Sequence, residues 1–479
     1  MSPPRPHFLV LTFPLQGHIA PALRLARRLL AVAPDVLVTF STTKAAHSRM
    51  FPSNGEQGGD HRAEEEDDGR LELLPFSDGT DSWEFRSSDV GAFDAYMSTF
   101  HAAAARSVAE IVDALAARGR PVTRVVYTLM LPWAADVARD RGVPSALYWI
   151  QPASVLAIYH HYFHGHDSGV VAEHRHDPSF VVELPGLAPL TIGDLPSFLT
   201  ESTDPSDTFH SIFTTVRDLI ETLDKERPRA TVLVNTCREL EVGALAALGR
   251  QHDVLPVGPV LPSGSETGIL KHDDAKYMEW LDAKPENSVA YVSFGSLATM
   301  GREQLDELLR GLEESGRPYI CVVRKDIKAA LGEDDEAAET MGERLENGML
   351  VEWCDQVRVL SHAAVGCFVT HCGWNSVMES VASGVPMVCV PRLSDQRMNA
   401  QLVAREWRVG VRAQVDEGGV LRAAELRRCI DEVMDNSEAA AEVRRMAKKW
   451  KQVVTEALCK GGSSEHNLVA FVDGARSNF

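Results

Sequence analysis

His371, Asn375 and Ser376 lie within six positions of one another, and each can donate a hydrogen bond to a phosphate oxygen without placing bulk between ligand and backbone. Gly373 leaves room for a close approach to the main chain. Glu379, one helical turn after Asn375, could accept both hydroxyls of a ribose, and Trp353 offers a flat face on which a base could stack. The elements that must position them are legible nearby. Val365 to Thr370 is a short apolar, β-branched run that reads as a buried parallel strand. After the polar turn, Val377, Val381 and Ala382 fall at helical spacing until Gly384 stops the helix, and Pro386 to Val390 begins another strand. In such a unit the helix N-terminus aims its N–H groups and positive dipole end beyond the sheet's carboxyl edge, a place that suits a diphosphate. Taken singly, each side chain could be a satisfied core or cap residue of one more β–α–β unit. At these spacings together they point to a nucleotide-sugar cradle.

From Trp353 to Gln396, WCDQVRVLSHAAVGCFVTHCGWNSVMESVASGVPMVCVPRLSDQ, the stretch resembles without a gap the signature box of plant secondary-product glycosyltransferases, family-one enzymes that move a sugar from a UDP-sugar to a small molecule. The resemblance implies uracil on Trp353, its edge read by the backbone of Cys354 with Gln356 nearby, and ribose on Glu379. It implies the diphosphate on His371, Asn375 and Ser376, and the sugar hydroxyls on Trp374, Asp395 and Gln396. Cys354 stands where the family often has alanine, which matters little if only its backbone is used. Gln396 matches the family's glucose-preferring choice. Ser296, at the turn after the strand Ala290 to Gly295, matches a position near the phosphate.

Length and composition agree. A chain of 479 residues is long enough for two domains of similar size, and 44% hydrophobic with 24% charged residues is ordinary for a soluble globular protein. A net charge of −20 argues against nucleic acid or an anionic membrane surface as a partner. The phosphates must then be held by local dipoles and hydrogen bonds. No signal-peptide core and no run of eighteen apolar residues is present, so a cytoplasmic protein without stable membrane insertion is expected, and a monomer. The eight cysteines include no Cys-x-x-Cys pair and read as reduced, mostly buried thiols; no metal site is expected.

In the first half, His7 to Phe13 reads as a strand, Pro14 to Gly17 as a turn and Ile19 to Leu30 as a helix. His18, at the junction, reads on spacing alone as a cap or packed polar residue. By resemblance this FPLQGH-like turn carries the catalytic histidine, which makes His18 the candidate base. After the strand Val122 to Tyr127 the chain departs from the family. Where most relatives have an aspartate five residues before Trp133, to orient the histidine and stabilise its imidazolium, Thr128 stands, able to accept a hydrogen bond but not to supply a charge. Trp149 and Gln151, ending the strand from Ala146, are candidate acceptor-binding residues. Tyr159 to His166, with four histidines, reads as a helical, acceptor-facing surface rather than a metal tract. Thr231 to Thr236 is expected to close the first sheet. Asn54 to Arg70 and Ile327 to Glu346 read as polar insertions.

The expectation is an α/β chain of the GT-B class, two doubly wound Rossmann-like domains facing each other across a cleft. Residues 1–255 would bind the acceptor, 256–268 link, 269–455 bind the UDP-sugar, and 456–479 return as a helix to the first domain. The function expected is inverting transfer of glucose from UDP-glucose, used as donor substrate with no cofactor, to a small acceptor: a carboxylic acid, hormone or phenolic. Two alternatives stand beside it. One is a catalytically weak nucleotide-sugar-binding protein. The other is a dehydrogenase, weakened by the lack of a Gly-x-Gly-x-x-Gly fingerprint.

Overall fold

The computed structural model describes residues 5–50, 69–81, 90–166, 168–261, 276–295, 300–324 and 346–476. Ser296, and most of the two polar insertions, lie outside the described residues. The chain divides into two compact units, one of Met1–Leu261 with Glu456–Phe479, the other of Pro262–Thr455.

The first unit is built on seven strands: β1 (His7–Leu11), β2 (Leu37–Ser41), β3 (Leu71–Leu73), β4 (Arg124–Thr128), β5 (Ser145–Trp149), β8 (Thr231–Val234) and β9 (Asp253–Pro256). They lie in the order β3-β2-β1-β4-β5-β8-β9, and every pair is parallel. A separate antiparallel pair, β6 (Val181–Val182) and β7 (Leu190–Thr191), lies within the insertion after β5. Parallel strands covered on both faces must be apolar throughout, and β1 and β4 are buried along their whole length. The strand order reverses between β1 and β4, the point at which open α/β sheets leave a crevice.

Two expectations give way here. The sheet is closed by β9, not by Thr231 to Thr236; the DVLP segment is too short to announce itself, and its proline is tolerated because an edge strand needs no further donor. The segment from Pro256 also does not yet leave the unit: the amides of Val257 and Gly258 still donate to Val234 and Thr236, and residues 256–260 are buried.

The second unit carries β10 (Val289–Ser293), β11 (Tyr319–Val322), β12 (Gly348–Val351), β13 (Val365–Thr370), β14 (Met387–Cys389) and β15 (Gly410–Arg412). Their order is β12-β11-β10-β13-β14-β15, again all parallel. Its reversal lies between β10 and β13. The helices Arg302–Glu314 and Ala423–Met434 cover a core that includes Leu305, Leu308, Leu426, Ile430 and Val433. Seven of the eight cysteines are free and buried, and Cys459 is exposed.

Candidate active site

In the second unit the helix Trp374–Ser383 starts three residues after β13 and ends at Gly384, whose φ of 72° is the left-handed cap that glycine adopts at no steric cost. As at any helix start, the first turn presents N–H groups that the helix itself does not satisfy. His371 stands in front of them, at the reversal point. Its ring is held between two glycines, one after each central strand. A Cβ at Gly295 would come within 2.7 Å of Cε1 and Nε2, and one at Gly373 within 2.5 Å of Nε2. Any side chain at either place would displace the imidazole. Burial lowers the ring's pKa to about 4, outweighing the raising effect of a hydrogen bond with the Ser293 backbone. The ring is therefore neutral at pH 7 and can donate one hydrogen bond to an arriving phosphate.

The turn itself is strained. Cys372 has a φ of 66°, unusual for a residue with a Cβ, and it is over-determined by Thr370 Oγ1, which accepts from its amide at 3.1 Å, and by Asn399 Nδ2, which donates to its carbonyl at 2.8 Å. The second amide proton of Asn399 goes to Asp395 Oδ2 at 2.8 Å. One side chain thus ties the phosphate turn to the carboxylate expected at the sugar. Burial pushes that Asp395 carboxyl up to about 6 in spite of the bond from Asn399. Asn399 was not singled out in the sequence, although its i, i+4 spacing from Asp395 was a usable signal.

Behind the turn, Gln356 gathers the expected ribose and phosphate residues. Its Nε2 donates to Glu379 Oε2 at 2.8 Å and to Ser376 Oγ at 3.0 Å, and its Oε1 accepts from the buried hydroxyl of Tyr291 at 3.2 Å. The Tyr291 hydroxyl also lies 3.4 Å from Cys354 Sγ, and its ring stacks on Phe368. Tyr291 is a second residue the sequence reading missed, since an aromatic in an apolar strand carries no signal of its own. Gln356 thereby fixes Glu379 and Ser376 while Ser376 keeps its hydroxyl proton to give. Trp353, just beyond β12, is partly exposed, and Asn375 is partly buried in the first helical turn.

Two donor-side expectations need revision. The Trp374 indole is 4% exposed and packs on Trp407, so it has no face for a sugar and can contribute only through its backbone. Gln396, expected at the sugar hydroxyls, has its Oε1 accepting from the amides of Arg392 and Leu393 at 2.9 and 3.1 Å, so Nε2 is the half it can offer.

In the first unit, the helix Gln16–Val32 carries His18 in its first turn, beside the reversal between β1 and β4. The ring leans on Phe13 with centroids 5.7 Å apart, and among the described residues its enclosed Nδ1 has no hydrogen-bond partner. Burial lowers its pKa to about 4, so it too is neutral at pH 7. Thr128, expected to orient it, is fully buried at the end of β4 and donates instead to Thr12 Oγ1, at a long 3.5 Å. The hydroxyl faces another strand end, and His18 gains nothing from it. Trp149 is likewise not an acceptor residue: it is 0% exposed and its Nε1 donates to Pro152 O at 2.9 Å, which makes it core. Gln151 is partly buried just past the carboxyl end of β5. Among the histidines after it, His160 is buried rather than turned to an acceptor.

Comparison with known proteins gives one answer from three sides. Residues 258–456 match the family model described as UDP-glucoronosyl and UDP-glucosyl transferase. The chain is 41% identical to UDP-glycosyltransferase 75C1 of Solanum lycopersicum, over 98% of each chain, and 41% identical to a phloretin 4'-O-glucosyltransferase of Malus domestica, over 97% of each. Among solved structures it resembles Os79 of O. sativa in complex with UDP, with a TM-score of 0.80 and 30% identity over 98% of this chain and 100% of that one.

Proposed function

Because the chain belongs to the family of UDP-glucuronosyl and UDP-glucosyl transferases, we propose that it transfers glucose from UDP-glucose to a small plant metabolite, and most readily to an acceptor that arrives already ionised, such as a carboxylic acid. Its two Rossmann-like units are those of the GT-B fold. The diphosphate is held by the first turn of the helix Trp374–Ser383 with His371 and Ser376, uracil by Trp353, ribose by Glu379, and glucose by Asp395 and the Gln396 amide. Ser296 is kept in the phosphate set on the family resemblance alone.

The reaction is an in-line displacement. The acceptor oxygen attacks the anomeric carbon, the bond from that carbon to the diphosphate breaks, UDP leaves, and an α-linked donor gives a β-linked product. Negative charge grows on the leaving diphosphate, where His371, Ser376 and the helix dipole meet it. A phenol must also lose its proton to His18 during attack. A carboxylic acid, with a pKa near ~4, is already a carboxylate at pH 7 and gives up no proton, so His18 only positions it.

One observation carries the preference: among the described residues His18 Nδ1 is enclosed without an acceptor, so none of them stabilises the imidazolium that a phenol would leave behind. The apple relative is a 4'-O-glucosyltransferase, which favours an O-glucoside as the second reading. A cytoplasmic location belongs to the proposal as well; among the described residues no helix is long and apolar enough to cross a membrane.

The test uses UDP-glucose with a matched acid and phenol of one aromatic skeleton, products being told apart by mass and by the alkali lability of an ester. The acid is expected to turn over faster, and His18→Ala to lower turnover on the phenol more than on the acid. A wild-type preference for the phenol with an equal response of both acceptors overturns the preference. Absence of UDP release on every acceptor points instead to a nucleotide-sugar-binding protein.

A further inference from the structure

The histidines after Trp149 were read as surface. The structure instead turns one of them inward to meet two groups from distant parts of the first unit. His160 lies on the helix Ala153–Phe163, Asp224 on the helix His210–Lys225, and His252 just before β9. One ligand-capable atom from each lies within 4.8 Å of the other two. His160 is 5% exposed and His252 4%, yet among the described residues His160 Nε2 and both ring nitrogens of His252 have no hydrogen-bond partner. Buried polar atoms left in that state are costly, so three together ask for an occupant.

A fourth histidine sharpens the case. The His164 ring stacks on that of His160 with centroids 4.1 Å apart. Its Nδ1 lies 2.7 Å from the His160 carbonyl, which can only accept, so Nδ1 carries a proton. Its Nε2 then stands 3.0 Å from Asp224 Oδ2. A cation between the two atoms, a proton or a metal ion, is what so close an approach calls for.

We propose that His160, His252 and Asp224, with His164 at the rim, form a binding site for one Zn2+ ion. Two or three imidazoles and a carboxylate suit zinc rather than magnesium or calcium, which take oxygen ligands. A tetrahedral site with bonds of about 2.0 Å sets ligand atoms ~3.3 Å apart, a spacing that small side-chain rotations reach from the one observed. The fourth position falls to His164 Nε2 or a water. Such an ion joins two helices to the edge of the first sheet, and none of its ligands takes part in the transfer site.

The full chain, without a histidine tag, is stripped with a chelator, loaded with ZnCl2 and gel-filtered. One zinc per chain is expected by elemental analysis, with a higher Tm than the stripped protein, and Co2+ in its place is expected to give a tetrahedral visible spectrum. His252→Asn and Asp224→Asn are each expected to weaken Zn2+ binding at least about tenfold. His176→Asn, at an exposed position in the same unit, should leave it unchanged. If His252→Asn does not fold, the half-exposed Asp224 decides. Wild type holding no more zinc than the Asp224→Asn variant, or an octahedral Co2+ spectrum, overturns the proposal.

Discussion

His18 follows β1 beside β4, and His371 follows β13 beside β10, so each imidazole stands where its parallel sheet reverses strand order. Both are held neutral by burial, with pKa values of about 4. Their surroundings differ. Around His371 the chain supplies two glycines that leave room for the ring, a strained turn tied down by Asn399, and a glutamine that fixes Ser376 and Glu379. Around His18, among the described residues, it supplies Phe13 and no polar partner for Nδ1. A histidine that only binds needs to be placed, and glycines and hydrogen bonds do that. A histidine that takes a proton needs a partner to stabilise its charge. Where the partner is absent, chemistry that moves no proton is favoured.

The contrast can be broken most directly at His18. His18→Ala is expected to lower turnover on a phenol by about 10²–10⁴-fold while UDP affinity by calorimetry stays within error. A variant retaining most of its turnover would leave His18 a packing residue. On the other side, Gly373→Ala drives a methyl group into the His371 ring and should weaken UDP binding by about 1.5–3 kcal/mol, the loss of a hydrogen bond to a charged group. Trp353→Ala should cost a similar ~1–3 kcal/mol through lost stacking. Unchanged UDP affinity in both variants would mean that the cradle lies elsewhere.

The smallest effect is in pH. An imidazole whose folded pKa lies below its unfolded value of 6.5 binds fewer protons when folded, so between pH ~4 and ~6.5 its contribution to stability rises with pH. For the same reason kcat/KM on a phenol should stay level from pH 8 down to about 5 before it falls. An acid limb between pH 6 and 7 would reveal a partner at His18 Nδ1 and overturn the preference for an ionised acceptor.

The proposed donor cradle could be traced in the sequence because it is nearly contiguous. Strand, turn, helix and cap follow one another between Val365 and Gly384, and local spacing alone decides which residues share the carboxyl edge. The sequence could not tell where single side chains turn once neighbours from other strands arrive. Thr128 faces Thr12 from the adjacent strand, and Trp149 is enclosed beneath the helix that begins at Ala153. Gln396 gives its acceptor to the loop just before it. The histidines after Trp149 have no legible environment until Asp224 and His252 are brought beside them by the fold.

The helix Ser463–Arg476 belongs to the first unit, and its attachments have a consequence for how the protein is made. Ser464 and Asn467 donate to the carbonyls of Gly258 and Pro256, Phe471 packs on Phe8 of β1, and Arg476 reaches Asp35, 441 positions earlier. During synthesis the earliest segment of the chain therefore cannot complete its fold until this helix has left the ribosome. The second unit, whose strands are all translated in between, can close first, which reverses the usual N-terminal-first order. A chain stopped before Ser463 would leave Phe8 and the edge beside Pro256 uncovered and open to association with other nascent chains.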